Sequence, residues 1–497
     1  MYAVYAAAIV SGIVVTPIVV RALGKDGYGA WSLIGAATTY LSVLDFGVSP
    51  AVIRFAAEAR GRNARDEVSE VASSGLAIYG AIGLLTLPVG AVVVWLIPVV
   101  GHVPHRLDHD VRLATALIVV SLALRFPLGL FNNLLVGQQR IDLLNVGNFA
   151  GTALYALLAA VLVPHGGGLV LLGVLVLVTT LIRLTLPLFW LKKELPELQV
   201  RRRFVTRARL RELTSFSASN FLVHISQKIV FSTDVIVVGI VLGVRPAAVY
   251  AVAAKLFSMA YSIGTAATSL MFPAFAELEG AGAAERQRRL FMSGLRGGSA
   301  LMLLLAVPLL LIPDQLIGAW IHTPGYHGSY AVMALLAAVL LVHAPVFVLT
   351  SYLLIRGRQK EVAWASIATT LANLVLSVAL AWTWGIWGVA LSTLVTDVAM
   401  LAWMTRYAAP AAGIGTGALV RAFVRPFVPA FGGAAVVFVV VARTWQPDTL
   451  ALLAVLGAVW VVVALPLIWR FGFSSEERGS LRRVLVPRFR PTRVAAP

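Results

Sequence analysis

Runs of about twenty apolar residues, separated by short charged or Gly/Pro-rich breaks, recur along almost the whole chain. A helix of that length crosses the ~30 Å of hydrocarbon in a bilayer. Within lipid the backbone must satisfy its own hydrogen bonds, so such runs can only be helices here. The spacing predicts fourteen spans: 2 to 20, 28 to 53, 69 to 99, 112 to 136, 141 to 163, 168 to 191, 216 to 242, 247 to 275, 292 to 320, 329 to 355, 361 to 384, 386 to 405, 420 to 442 and 449 to 469. With 59% hydrophobic and only 12% charged residues, the chain has too much apolar surface to hide in a soluble core, which excludes soluble enzymes. It has no cysteine, so disulfides, thiolate metal sites and cysteine nucleophiles are excluded as well.

The charges that interrupt the spans give an independent test of topology. If the N-terminus is cytoplasmic, thirty of the forty Lys and Arg residues fall in inside loops and the tail. Six fall outside, namely Arg21, Lys25, Arg106, Arg112, Arg245 and Arg443, and four lie within spans. Removing one span would scramble this alternation, so the bias supports fourteen spans with both termini inside. The net charge of +18 is therefore a topology signal and not a nucleic-acid footprint.

Short segments repeat at an offset of about 220 residues. Leu23-Gly24 after span 1 matches Leu242-Gly243 after span 7, and Pro50 matches Pro273. Leu134-Leu135-Val136-Gly137-Gln138-Gln139-Arg140 resembles Leu353-Leu354-Ile355-Arg356-Gly357-Arg358-Gln359-Lys360. Six spans separate the copies, an even number, so both halves share one orientation. The expected fold class is an all-α polytopic membrane protein with 14 transmembrane helices. It has two six-helix lobes in a parallel pseudo-two-fold repeat, plus two C-terminal helices. The expected domains are an N-lobe (1–191), a basic cytoplasmic linker (192–215), a C-lobe (216–408), two added helices (409–470) and a basic tail (471–497).

The turn Arg21-Ala22-Leu23-Gly24-Lys25-Asp26-Gly27-Tyr28-Gly29 and the segment Leu44-Asp45-Phe46-Gly47-Val48-Ser49-Pro50, running to Arg54-Phe55-Ala56-Ala57-Glu58, carry a family likeness. With the Gly137 and Gly357 helix ends, they resemble the polysaccharide flippases of the multidrug/oligosaccharidyl-lipid/polysaccharide exporter superfamily. The resemblance implies a V-shaped bundle in the bacterial cytoplasmic (inner) membrane. It would move polyprenyl-diphosphate-linked oligosaccharide from the inner to the outer leaflet through a cationic cavity, without a cofactor and without enzymatic turnover. It also implies membrane lipids, H+ or Na+ as coupling ions, and a polysaccharide polymerase and glycosyltransferases of the same pathway as partners. Three alternatives stand beside it: a peptidoglycan-precursor (lipid II) flippase, a cation-coupled drug antiporter of the same superfamily, and a membrane glycosyltransferase or polymerase. The last would need a sizeable outside loop with acidic residues, and none exceeds about a dozen residues.

Ionisable groups inside spans are costly and usually face a cavity. Arg125 shares a helix face with Gly129 and Asn132. Span 7 presents Asn220, His224, Gln227 and Asp234 as a stripe flanked by Lys228. Span 8 carries Lys255, Ser258 and Ser262. Arg54, Arg125, Lys228 and Lys255 are the candidate diphosphate ligands, with Asn220, Gln227, Ser258 and Ser262 for sugar hydroxyls. Asp45, Asp234 and Asp397 are the candidate ion-coupling carriers, and Arg183 completes the embedded set. The competing reading pairs these charges across helices, for example Arg125 or Lys228 with Asp234 or Asp45, as packing only. His102, His105 and His109 crowd an outside loop but fit no metal-ligand spacing, and Gly24-Lys25 lacks the rest of a P-loop.

Overall fold

In the computed structural model, the described residues are 2–268, 271–425, 433–445 and 449–473, with Ser475 and Arg478. The side chains of Tyr2, Arg65 and residues 218–231 are not among them. No strand occurs among the described residues. The long helices are α1 (Tyr2–Leu41), α2 (Val48–Gly61), α3 (Arg65–Val100), α4 (His105–Gly137), α5 (Ile141–Leu162), α6 (Gly168–Glu194), α7 (Arg207–Leu242) and α8 (Val244–Thr268). There follow α9 (Met271–Gly280), α10 (Ala284–Leu311), α11 (Pro313–Ile321), α12 (Gly328–Ile355), α13 (Gln359–Trp384), α14 (Ile386–Ala411), α15 (Thr416–Val424), α16 (Ala435–Trp445) and α17 (Leu450–Leu467). Eleven helical stretches among the described residues are long and apolar enough to cross a membrane, so the chain is a multi-pass membrane protein.

Several expected spans are cut where the chemistry demands it. Span 2 is not one helix. A 3-10 turn (Ser42–Asp45) ends α1, and Phe46 and Gly47 adopt positive φ before α2 starts. The Asp45 carboxylate accepts from the Ser49 backbone N–H (3.4 Å) and from Ser49 Oγ (2.9 Å), supplying a partner at the new helix start. Pro50 then sits in the first turn of α2, where its missing N–H costs nothing. Span 9 likewise divides at Ile312, with Pro313 opening α11. Spans 8 and 13 correspond to α8 with α9 and to α15 with α16, separated by residues 269–270 and 426–432, which lie outside the described set. Within segment 192–215, Lys192–Glu194 finish α6 and Arg207 onward opens α7, where Thr206 Oγ1 caps the Arg209 N–H at 3.2 Å. His105 and His109 belong to the first turns of α4 rather than to a loop, and no metal-holding cluster exists among the described residues.

The repeated segments have matching local geometry. At the end of α4 the N–H groups of Gln138, Gln139 and Arg140 donate to Leu134, Val136 and Leu135. At the end of α12 those of Arg356, Gly357 and Arg358 donate to Tyr352, Leu354 and Leu353, in the same order. The left-handed residue is Gln139 in one copy (φ 59°) and Gly357 in the other (φ 73°), so Gly137 is not the partner of Gly357. Gly137 instead allows close packing, because a Cβ there would stand 2.7 Å from that of Ala56. The opposite turns agree too: Gly24 (φ 65°, ψ −174°) and Gly243 (φ 91°, ψ 177°) share a conformation that favours glycine.

Two compact units emerge. The first comprises Met1–Met259, Trp320–Leu335 and Ser366–Thr396. One of its buried clusters is centred on Val52, Phe55, Tyr79, Phe126, Leu130 and Leu134, and another on Ala30, Leu33, Ile34, Val111 and Leu169. The second comprises Ala260–Ala319, Leu336–Ala365 and Asp397–Pro497, with a core around Phe275, Phe291, Leu349, Tyr352 and Met404.

Candidate functional site

A cavity of about 490 Å³ opens inside the first unit. Its walls are the 42–50 break, Tyr79 of α3, the Arg125–Asn133 face of α4, Leu144 and Asn148 of α5, and Thr180 to Leu184 of α6. The break in span 2 creates this site, because it turns Asp45 and Ser49 inward where a continuous helix would have stacked them in a column. Tyr79 Oη donates to Asp45 Oδ1 at 3.0 Å, and Asn133 Nδ2 donates to both Ser49 Oγ and Tyr79 Oη at 3.1 Å. Asp45 is thus satisfied by hydroxyls and not by a cation.

The two arginines of the cavity are held differently. α5 and α6 approach closely through Gly147 and Gly151, since a Cβ at either would lie 3.1 Å from a backbone oxygen of α6. That contact places Arg183 so that its Nη2 donates to Thr152 Oγ1 at 3.3 Å, while its Nε is buried without a partner. Arg125 lines the same space with Gly129 and Asn132, as their spacing predicted. Neither arginine forms an ion pair among the described residues, and Asp45 is the single carboxylate in the lining. The cavity therefore carries excess positive charge beside unsatisfied amide capacity: Asn132 Oδ1 is buried without a partner.

Other expected residues lie elsewhere. Arg54 pairs with Glu58 at 2.7 Å and covers the ring of Phe216 at 4.7 Å, so its charge is already met. Lys255 of α8 brings its Cε and Nζ up to Gly12 of α1 and makes no ion pair among the described residues. Ser258 donates to the Lys255 carbonyl at 2.8 Å. Asp234 is buried and accepts from Tyr250 Oη (2.8 Å) and Thr393 Oγ1 (2.9 Å). Asn373, Ser377 and Ser392 extend this polar cluster between α13 and α14. Removing the Thr393 hydroxyl with Thr393→Val should cost about 1 kcal/mol, the scale of hydrogen bonds between membrane helices, read as a lower thermal midpoint in detergent. In the second unit, Asp397 Oδ2 lies 2.8 Å from His343 Nδ1, and Tyr261 Oη is 3.4 Å from the other ring nitrogen. Ser262 also belongs to that unit. The side chains of Asn220, His224, Gln227 and Lys228 fall outside the described residues.

Sequence reasoning missed Tyr79, Asn133, Asn148 and Thr180 as lining residues, and His343 as the partner of Asp397. The isolated Asn148 in an apolar span was a readable signal. Tyr79 was not, because a membrane tyrosine is commonly an interfacial residue.

Residues 2–279 match the family model described as Polysaccharide biosynthesis protein, which is more than half of the chain. The chain belongs to that family. No curated protein matches the sequence. Solved structures match the fold. A multidrug resistance MATE family transporter of the MOP superfamily, in an inward-facing conformation, aligns with TM-score 0.70 at 13% identity, covering 83% of this chain and 95% of its own. The lipid II flippase MurJ, in an inward closed conformation, aligns with TM-score 0.68 at 11% identity, covering 96% and 97%. A MOP superfamily transporter from Pyrococcus furiosus, noted for the reverse polarity of its binding pocket, gives 0.55 at 12% identity, covering 82% and 96%. At these identities the likeness establishes the fold. This member of the polysaccharide biosynthesis family has the helical fold of those transporters, as its family resemblance implied.

Proposed function

We propose that this protein is a flippase carrying polyprenyl-diphosphate-linked oligosaccharide from the inner to the outer leaflet of a bacterial cytoplasmic membrane by alternating access. It would serve cell-surface polysaccharide synthesis, with the polymerase and glycosyltransferases of that pathway as partners. The observation that carries this reading is the cavity in which Arg125 and Arg183 face inward, neither paired with a carboxylate among the described residues, beside Asn132, Asn133, Asn148 and Thr180. A sugar headgroup leaving water needs a hydrogen-bond partner for each hydroxyl, and a diphosphate needs cations. The lining offers both, while the polyprenyl tail stays in lipid. Lys255 and Lys228 are further diphosphate contacts, with Asn220, Gln227, Ser258 and Ser262 for sugars. Arg54 joins only by giving up Glu58.

The charge alternation supports both termini inside. An inside-negative potential then favours exit of an anion by about 2.3 kcal/mol per charge per 100 mV. H+ or Na+ coupling falls to Asp45, Asp234 or Asp397. Asp397 is the one in contact with a described histidine, its Oδ2 lying 2.8 Å from His343 Nδ1.

The test is a leaflet-resolved assay of labelled polyprenyl-diphosphate oligosaccharide in proteoliposomes. Transfer to the far leaflet at a rate above protein-free vesicles supports the reading. Transfer of lipid II alone would reassign the protein to peptidoglycan precursors. Cation-coupled dye efflux without lipid movement would make it an antiporter.

A further inference from the structure

We infer that the opposite end of the first unit carries a second anion site, which binds a phosphate group through Lys25, Arg106 and Arg245. Three of the six basic residues that the alternation places outside converge on one cavity of about 820 Å³, although they come from three different turns. The other three have individual partners. Arg112 pairs with Asp108 at 3.0 Å, Arg443 with Asp314 at 2.7 Å, and Arg21 Nε donates to the Ile321 carbonyl at 3.1 Å. Asp26 is the single carboxylate in the cavity lining, so three cations there share one anion.

Asp26 fixes the geometry of the two guanidinium groups. Its Oδ1 accepts from Arg245 Nε at 2.6 Å, and its Oδ2 accepts from Arg245 Nη2 at 3.2 Å and Arg106 Nη2 at 2.7 Å. The carboxylate is only 8% exposed, whereas both arginine side chains are 71% exposed. Nη1 of Arg245 and Nε and Nη1 of Arg106 are therefore held in position yet free to donate. Lys25 has no hydrogen bond or ion pair among the described residues. Its ammonium rests 5.6 Å from the centre of the Tyr326 ring and over Gly325, where any Cβ would collide with it. The Tyr326 phenol, neutral at ordinary pH and pushed further up to about 12 by burial, adds no competing anion. Gly24, Gly325, Gly328 and Gly385 keep the walls at backbone thickness. The paired glycine turns of the internal repeat explain the convergence: Gly24 precedes Lys25-Asp26, and Gly243 precedes Val244-Arg245. Planar forks beside an ammonium suit a phosphate with several oxygens.

The side of the membrane and the ligand's origin rest on the flippase reading, whereas the site itself rests on the cavity. The phosphate could come from exported cargo or from an anionic phospholipid headgroup. The probe is inorganic pyrophosphate, titrated calorimetrically into the full chain in phosphatidylcholine nanodiscs at low salt, in an Arg125→Ala/Arg183→Ala background that silences the inner cavity. Lys25→Ala should weaken binding by about tenfold or more, and Lys25→Arg should restore it to within about threefold. Arg112→Gln, whose charge is already paired, should leave it unchanged. Arg245→Gln should weaken it too, with a lower thermal midpoint because Asp26 loses its two-bond partner. Replacing part of the lipid with phosphatidylglycerol should weaken pyrophosphate binding if headgroups occupy the site. If cargo occupies it, only added polyprenyl diphosphate should compete. Equal affinity in wild type and Lys25→Ala, or no binding in the silenced background, overturns the inference and leaves the flippase reading intact. Lys25-dependent binding, together with a wild-type protein that fails to flip lipid, would reject transport and keep this site.

Discussion

Arg125→Ala and Arg183→Ala should each slow oligosaccharide-lipid transfer by about ten- to a hundredfold while the protein inserts and purifies normally. A hydrogen bond to a charged group is worth about 1.5–3 kcal/mol, and each 1.4 kcal/mol is a factor of ten. The two guanidinium groups face one cavity, so the double variant should lose less than the product of the single losses. Lysine at either position should recover part of the rate, since it keeps the charge but not the fork. Neither arginine is engaged by a carboxylate, so removing it leaves no buried anion behind and stability should hardly change. Arg183→Ala should leave the thermal midpoint level or slightly raised, because a partnerless buried Nε disappears with it. Unchanged transfer by both single variants would reject the cavity as the diphosphate site. Arg54→Gln should have the smaller effect, because Glu58 already claims that side chain.

The second large effect is structural. Gly29→Ala should destabilise the protein by about 3 kcal/mol, seen as a marked fall in the melting midpoint in detergent and in the yield of monodisperse protein. A Cβ at position 29 would collide with the Val244 carbonyl oxygen and stand 2.6 Å from its carbon. Backbone cannot swing aside as a side-chain end can, so α1 and the start of α8 would have to separate. Gly35→Ala in the same helix is the control, because a Cβ there meets nothing within 4 Å. It should be neutral or slightly stabilising, as alanine is the better helix former. Equal behaviour of the two variants would show that the α1–α8 contact is slack.

The difference between these glycines marks where sequence reading stopped. Both lie in an apolar helical run and look alike as letters. Only the crossing of α1 over the residue that follows Gly243 makes one indispensable. The same holds for span 2. Hydropathy reads straight through Leu44 to Pro50, because that segment is apolar enough for lipid, and it ignores the turn that Asp45, Phe46 and Gly47 impose. Arg125 with Gly129 and Asn132 was legible, since one helix face is fixed by a period of 3.6. Arg183 is legible as an embedded charge, but its place in the same cavity as Arg125 depends on the Gly147 and Gly151 contact between α5 and α6. His343 and Asp397 are far apart in sequence and no periodicity links them.

The chain alone determined that it crosses a membrane many times, does so as helices, and weights its basic residues to alternate loops. Those properties follow from local rules: the cost of an unpaired peptide group in hydrocarbon, the length of a span and the bias of basic loops. Tertiary structure decided which embedded charges are already met and which face open space. That choice depends on distances between helices, which are set by the small residues at their crossings and not by the pattern of any one span.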